Sequence, residues 1–368
     1  MRATLVVPDR DPDAPSGGDV YDARVAAHWP DGQRVCRAPG AWPHPTEADR
    51  AALDRLLAGL GSDPVLLDGL VGSTVPELVA ASARVRTTGV LVHSRLAAGS
   101  GATGARAAEL DAVEQRALRA ADLVATTSAW SVADLGRRYG IDGVIVARPG
   151  VDPAPVSPGG GAADGPGTQL LALGAITPVK NHATLLIALA RLQDLDWGLT
   201  VAGPVPDRDF AEQLISTALD LGLADRISWL GPLDGAALAQ AWDGTDLLVH
   251  PSSSETWGMV VTEAHARGIP AVVTRGTGAE EALTWRPGDP DDTGGWTAPA
   301  EREGLHATTP GAVVDGAPDP LTHVLRRWLA DEATRKAWRS AALQRRDRLP
   351  SWRRTAQVLH DAMARCPT

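Results

Sequence analysis

The chain is 368 residues long and 44% apolar, which is enough for two packed domains of about 100–200 residues each and excludes global disorder. Its 35 basic and 45 acidic residues leave a formal charge of −10 with no basic block, which excludes the electrostatic footprint of a nucleic-acid binder or of a strong binder of anionic membranes. The two cysteines, Cys36 and Cys366, form no CxxC or metal-ligand spacing, and no apolar run reaches the ~18 residues of a membrane span or resembles a signal peptide, so a reducing cytoplasm is the expected compartment.

Short β-branched runs alternate with longer Ala/Leu-rich stretches, the pattern of a parallel sheet with helical crossovers. In the first part of the chain, strands are predicted at Thr4–Pro8, Val65–Asp68, Val90–His93, Leu123–Thr126 and Val144–Ala147, with helices at Ala105–Ala121 and Trp130–Tyr139, the latter closed by Gly140. From Pro149 to Gly167 the density of Pro and Gly allows neither a helix nor a central strand, which predicts a linker. A second alternation follows, with strands at Leu170–Gly174, Leu199–Gly203, Ile227–Leu230, Leu247–His250 and Ala271–Thr274. Its helices are predicted at Thr184–Leu192, Phe210–Leu221, Ala236–Trp242 and Met259–Arg267. Residues Glu303–Asp319 read as irregular, before closing helices at Leu321–Ala330, Glu332–Arg348 and Ser351–Arg365. The expectation is an α/β protein of two doubly wound domains facing across a cleft, 1–150 and 168–350, with a linker over 151–167 and a last helical segment over 351–368. In such sheets ligands bind beyond the carboxyl ends of the strands.

One stretch carries the most chemistry. Ser252-Ser253-Ser254-Glu255-Thr256-Trp257-Gly258-Met259 follows a buried strand and runs into a helix that holds Glu263 about two turns further on. Glu255 falls in the strand-to-helix loop, and the amides of Trp257, Gly258 and Met259 open the helix, where anionic or hydroxyl-rich ligands are favoured. Such a pair of carboxylates suits two parts of one extended polar ligand; by pattern alone, an N-capping loop followed by a solvated helix is equally open. Lysine occurs only at 180 and 336, and Lys180 sits at a helix start, where the macrodipole disfavours a cation. His93 ends an apolar strand; His182, His250 and His265 read as packing or surface residues.

Glu255 and Glu263, with Trp257-Gly258-Met259 between and Ala266-Arg267-Gly268-Ile269-Pro270 after, resemble the Glu-x7-Glu signature of glycosyltransferase family 4. Ser16-Gly17-Gly18, Ala125-Thr126-Thr127-Ser128, Pro149-Gly150-Val151-Asp152, Leu173-Gly174-Ala175-Ile176-Thr177-Pro178-Val179-Lys180-Asn181, Thr277-Gly278-Ala279-Glu280-Glu281 and Ser351-Trp352-Arg353-Arg354-Thr355 match in order along nearly the whole chain. The resemblance implies a GT-B fold whose last helix returns to the first domain. It also implies a retaining enzyme that moves a sugar from a nucleotide-sugar donor, UDP- or GDP-linked, to a hydroxyl of a small-molecule or glycan acceptor. By the same resemblance Glu255 holds donor-sugar hydroxyls and Glu263 the ribose, and the amides of Thr256, Trp257, Gly258 and Met259 contact sugar or phosphate. Lys180 neutralises the diphosphate, Leu233 lines the base, Gly17 and Gly18 approach the β-phosphate, and His93 orients the sugar or supports its positive charge through the backbone carbonyl. Asn181 reads more simply as a helix N-cap.

The sequence departs from the family at Ala175, where an Arg usually follows the phosphate-loop glycine; Arg95, Arg148 and Arg275 are candidate substitutes. Asp9-Arg10-Asp11 and Asp207-Arg208-Asp209 match a metal-binding Asp-x-Asp, yet Asp207 reads better as a helix N-cap, and no metal or other cofactor is expected. A sugar-nucleotide epimerase or sugar phosphorylase of the same fold, and a non-catalytic sugar-nucleotide-binding protein, are the alternatives.

Overall fold

A computed structural model describes residues 3–11, 15–160, 168–286 and 309–366. The described chain forms two units, 3–150 with 350–366 and 151–286 with 309–349.

The first unit runs β1 (Thr4–Pro8), α1 (Gly17–Ala27), β2 (Arg34–Ala38), α2 (Glu47–Ala58), β3 (Val65–Asp68), α3 (Gly69–Gly72), α4 (Pro76–Ala83), β4 (Thr88–Val92), α5 (Leu96–Gly99), α6 (Gly104–Ala120), β5 (Leu123–Thr126), α7 (Ala129–Tyr139) and β6 (Ile145–Val146). Its strands pair in parallel in the order β2-β1-β3-β4-β5-β6. β1 lies between β2 and β3, so the winding reverses there, and a crevice for a ligand is expected beyond the carboxyl ends of β1 and β3.

The second unit runs β7 (Thr168–Leu173), α8 (His182–Ala190), β8 (Trp197–Ala202), α9 (Arg208–Asp220), β9 (Ile227–Gly231), α10 (Gly235–Asp243), β10 (Leu247–His250), α11 (Met259–Ala266), β11 (Ala271–Thr274), α12 (Gly278–Thr284), β12 (Gly311–Val314), α13 (Pro318–Ala330) and α14 (Glu332–Arg345). These strands are also all parallel, in the order β12-β11-β10-β7-β8-β9, with the reversal between β7 and β10. The final helix, α15 (Trp352–Arg365), packs on α1, β5 and β6 and so belongs to the first unit.

Both faces of each sheet are covered, which is why its strands read as continuous apolar runs. In the second sheet the two-residue period divides them cleanly. Leu170, Leu199, Leu247 and Val249 pack with α8, α9 and α13, whereas Leu171, Leu248, Ala271 and Val273 pack with α11 and α12.

The principal strands and helices lie within a few residues of their predicted positions, but several elements have no counterpart in the sequence reading. α1 opens with two glycines, which hide it from a propensity reading, and is set by a capping box. Ser16 Oγ accepts from the Asp19 amide, and Asp19 accepts from the Ser16 amide at 2.8 Å. Thr46 and Asp49 start α2 in the same way. β2 is an edge strand exposed over most of its length, so it carries no apolar run. Glu303–Asp319 is not irregular throughout: β12 and the start of α13 lie within it, while 303–308 fall outside the described residues. Nor is all of 151–167 a free spacer. The Ser157 amide donates to Arg267 O and the Gly160 amide to Asp246, which ties 151–160 to the second unit; 161–167 lie outside the described residues. No helix among the described residues is long and apolar enough to cross a membrane.

Candidate functional site

The carboxyl edge of the second sheet brings Lys180 and Glu255 together at the reversal point. Lys180 ends a short 3-10 turn after β7, and Glu255 lies in the loop after β10, the strand beside β7. Lys180 Nζ donates to Glu255 Oε2 at 2.6 Å, with the side chains only 25% and 16% exposed. The two loops are tied by their backbones as well, since the Ser253 amide donates to Val179 O at 2.8 Å. A third partner is His250, which the sequence alone assigns to packing or to the surface. His250, the last residue of β10, places Nε2 3.0 Å from the same Glu255 oxygen, and Ser252 Oγ lies 3.2 Å from that nitrogen. The strand-end position that drew attention to His93 was also there to single out His250.

The electrostatics follow from this geometry. Burial alone would raise the Glu255 carboxyl, but the Lys180 charge and the His250 hydrogen bond outweigh it and hold the group well below the ordinary carboxylate range. Burial lowers His250, and the nearby ammonium adds to the effect. His182, the first residue of α8, is buried and driven down to about 4, chiefly by desolvation with repulsion from His250 and Lys180. The cluster is thus one carboxylate, one ammonium and two neutral imidazoles.

The loop between β10 and α11 is pinned from α12. The Gly278 amide donates to Glu255 O at 2.7 Å, and a Cβ at Gly278 would lie 2.0 Å from Thr256 O. Gly258 caps α11 at φ +84°, a left-handed conformation that favours glycine. The Trp257 ring is buried in the apolar cluster beneath, so only its backbone faces the role predicted for it; Met259 and Thr256 are half-buried. Glu263 lies on α11, raised chiefly by burial and further by Asp152 against the pull of Arg267. Leu233 follows β9 at the opposite edge of the sheet from β12 and is half-buried.

Of the two predicted helix caps, the one at Asn181 changes and the one at Asp207 holds. Asn181 adopts φ +55° and makes no side-chain cap to the helix backbone; instead its Oδ1 accepts from Thr184 Oγ1 at 2.8 Å. Asp207 does cap α9, accepting from the Phe210 amide at 3.0 Å. Two of the arginines considered in place of one at 175 already have charge partners: Arg275 pairs with Asp315 at 3.0 Å, and Arg95 with Asp134 and Asp111 at 2.7 and 3.0 Å.

The first sheet carries the other predicted residues, again at its reversal point. Gly17 and Gly18 form the first turn of α1 after β1, and His93 follows β4. A Cβ at Gly18 would lie 3.2 Å from His93 Cδ2, so glycine is what lets the helix start against the ring. His93 Nε2 lies 2.9 Å from Asp22 Oδ1 on α1 and 3.3 Å from Asp68 Oδ2 at the end of β3. Neither aspartate was singled out in the sequence. Burial lowers His93 but Asp22 and Asp68 overcome it, lifting the imidazole to about 9. Burial and the neighbouring Asp22 push Asp68 up to about 7, against the opposing pull of His93. Among the described residues this trio is also the one group with the composition and spacing of a metal-ligand set.

Two parallel, doubly wound sheets, the second with a Lys–Glu pair at its reversal point, define an α/β protein of two such units, and comparison with known sequences identifies it further. Residues 160–345 match the profile of the family described as glycosyl transferases group 1. The chain belongs to that family. The D-inositol 3-phosphate glycosyltransferase of Mycolicibacterium gilvum is 31% identical over 215 residues, covering 56% of this chain and 45% of that protein; the protein of the same name from Salinispora tropica is 30% identical over 275 residues, covering 67% and 52%. The chain thus spans about half the length of the curated relatives it matches. Among solved structures, sucrose-phosphate synthase from Thermosynechococcus elongatus superposes with a TM-score of 0.75 at 18% identity, covering 98% of each chain. HepE from Anabaena, solved in complex with UDP and glucose, gives 0.74 at 17% identity over 98% and 99%. These likenesses fix the fold as GT-B.

Proposed function

We propose that the protein is a retaining glycosyltransferase that moves a sugar from a nucleotide-sugar donor to a hydroxyl acceptor without a metal ion. The observation that carries this reading is the Lys180–Glu255 pair at the reversal point of the second sheet, beside the amino end of α11. A fixed ammonium there suits the charge that develops on a leaving diphosphate, and the low-lying Glu255 carboxyl stays ionised to hold sugar hydroxyls and offset positive charge at the anomeric carbon. Glu263, half-buried further along α11, suits the hydroxyls of a ribose. The UDP and glucose in the HepE complex support a uridine donor, with a GDP-sugar as the second candidate. In the family's front-face mechanism the leaving diphosphate helps deprotonate the acceptor, so no covalent glycosyl-enzyme is required. Lys180 and the amides that open α11 would supply positive charge and hydrogen-bond donors in place of a metal.

The test is a thermal-shift screen against UDP-, GDP-, ADP- and dTDP-sugars, followed by turnover of the donor that raises Tm most, with polyol phosphates and glycans as acceptors. Glu255→Gln is expected to lower kcat by about 10²-fold or more, the scale of a removed transition-state contact. Turnover is expected to survive EDTA, and the product to keep the donor's anomeric configuration by proton NMR. Near-wild-type turnover of Glu255→Gln, Mn²⁺-dependent rescue after EDTA, or donor binding without transfer to any acceptor would each overturn the corresponding part.

A further inference from the structure

The Asp22–His93–Asp68 cluster holds two buried carboxylates on one side of one imidazole, which is more than the fold requires. Asp68 already has a structural task, since its Oδ1 accepts from the Leu70 amide at 2.7 Å and caps α3; its other oxygen is turned to His93. Asp22 brings a second carboxylate from α1 to the same ring nitrogen. The ring is confined elsewhere too. Tyr21 packs edge-on at 4.8 Å, its hydroxyl is held by Ala147 O at 2.7 Å, and its other neighbour is Trp352 at 5.5 Å. The Gly18 backbone also comes close, since a Cβ there would lie 3.2 Å from the ring. Elements far apart in sequence, α1, β3, β6 and α15, thus converge to fix one side chain at the carboxyl edge of the first sheet.

We propose that Asp22 and Asp68 are positioning residues that clamp the His93 imidazole through Nε2–H, so that in sugar transfer His93 serves as a fixed hydrogen-bonding and cationic group and does not accept a proton. A proton on Nε2 lets both carboxyl groups accept from it, and a cationic ring offsets the buried negative charge that would otherwise be costly. Among the described residues, Asp22 from α1 and Asp68 from β3 lie against the ring nitrogen, the Tyr21 ring packs on the imidazole and Asp19 adds its negative charge, which agrees with an imidazole lifted to about 9. This rests on the proposed transferase reading for its catalytic consequence, but the clamp itself is measurable without turnover.

The experiment is ¹⁵N NMR of histidine-labelled protein, with the His93 signal assigned by its loss in His93→Gln. In the wild type His93 is expected to stay protonated past pH 8, and in Asp22→Asn and Asp68→Asn its titration is expected to move down toward the ordinary histidine value near 6.5. The same variants are expected to lose about 10–100-fold in kcat on the best donor of the UDP-, GDP-, ADP- and dTDP-sugar screen with donor KM little changed, as misplacement of a reacting neighbour would do. A wild-type His93 that titrates near 6.5, or a moved titration with unchanged kcat, overturns the proposal while a Glu255→Gln loss leaves the transferase reading intact. Calorimetric binding of Mn²⁺ or Zn²⁺ that Asp68→Asn abolishes also overturns it, since the trio would then be a cation site. Circular dichroism and Tm of each variant separate misfolding from repositioning, and Asp68→Glu, which keeps the charge, is expected to recover part of the lost kcat.

Discussion

The two units place opposite charge patterns at equivalent points of their sheets. In the first, one imidazole nitrogen is shared by two carboxylates, Asp22 and Asp68; in the second, one carboxylate oxygen is shared by an ammonium and an imidazole, Lys180 and His250. At two groups the neighbouring charges reverse the effect of burial: the carboxylates raise His93, and Lys180 with His250 lowers Glu255. Burial itself raises Asp68 and lowers His250 and His182, with Asp22 adding at the first and Lys180 at the other two. Both sheets are parallel and doubly wound but differ in strand order, since the first strand lies between the second and third in one unit and between the second and fourth in the other; the residue types at the strand ends and in the helices that follow differ as well. A parallel sheet supplies a crevice, and the side chains at its rim decide whether that crevice favours an anion or a positively charged group.

The largest break in this comparison is expected from Lys180→Ala, which removes the cation that outweighs burial at Glu255. We expect a loss of about 10²–10³-fold in kcat, with Glu255 titrating at higher pH than in the wild type, read from pH–rate profiles. A Lys180→Ala enzyme within threefold of wild type would show that the charge pattern of the second unit is structural. Gly278→Ala acts on the same loop without touching a charge. Its Cβ meets the Thr256 carbonyl, so the loop from Glu255 to Gly258 must move, and a loss of about 10–100-fold in kcat is expected with Lys180 and Glu255 both present. If activity is unchanged, the loop tolerates displacement and the pinning by α12 is unimportant.

The smallest effect serves as a control outside both clusters. Glu114 on α6 accepts from the Leu96 amide at 3.2 Å and from Tyr139 Oη at 2.8 Å, and burial raises it to about 7. Its folded value lies above its unfolded value of 4.5, so the folded state binds the extra proton between those values. The stability this gives is present below about pH 4.5 and is lost as pH rises through about 7. Urea unfolding at pH 5 and pH 8 should show a fall of about 1–3 kcal/mol in the wild type that Glu114→Gln largely removes. A fall of the same size in both proteins would assign the pH dependence to another group, with Asp68 the next candidate.

Much of the fold was legible because buried parallel strands are short apolar runs whatever surrounds them, as at Val65–Asp68, Leu247–His250 and Ala271–Thr274. What escaped was structure held by single hydrogen bonds or by exposure. α1 starts on glycines and depends on one Ser16–Asp19 box, and β2 is an exposed edge. The site divides along the same line. Glu255 and Lys180 stood out, one by its place in a motif and the other as one of two lysines, and their 2.6 Å contact brings together residues 75 positions apart.

Spacing along the chain therefore established the alternation of strands and helices, the family motif and the acid–base types available at the strand ends. It was silent on partnership. That Asp22, Asp68 and His93 meet, that His250 shares the oxygen held by Lys180, and that Gly278 seats the Glu255 loop all depend on which strands become neighbours when the winding reverses. Such contacts join residues far apart in sequence, and their strength comes from burial, which exists only once the sheets are covered.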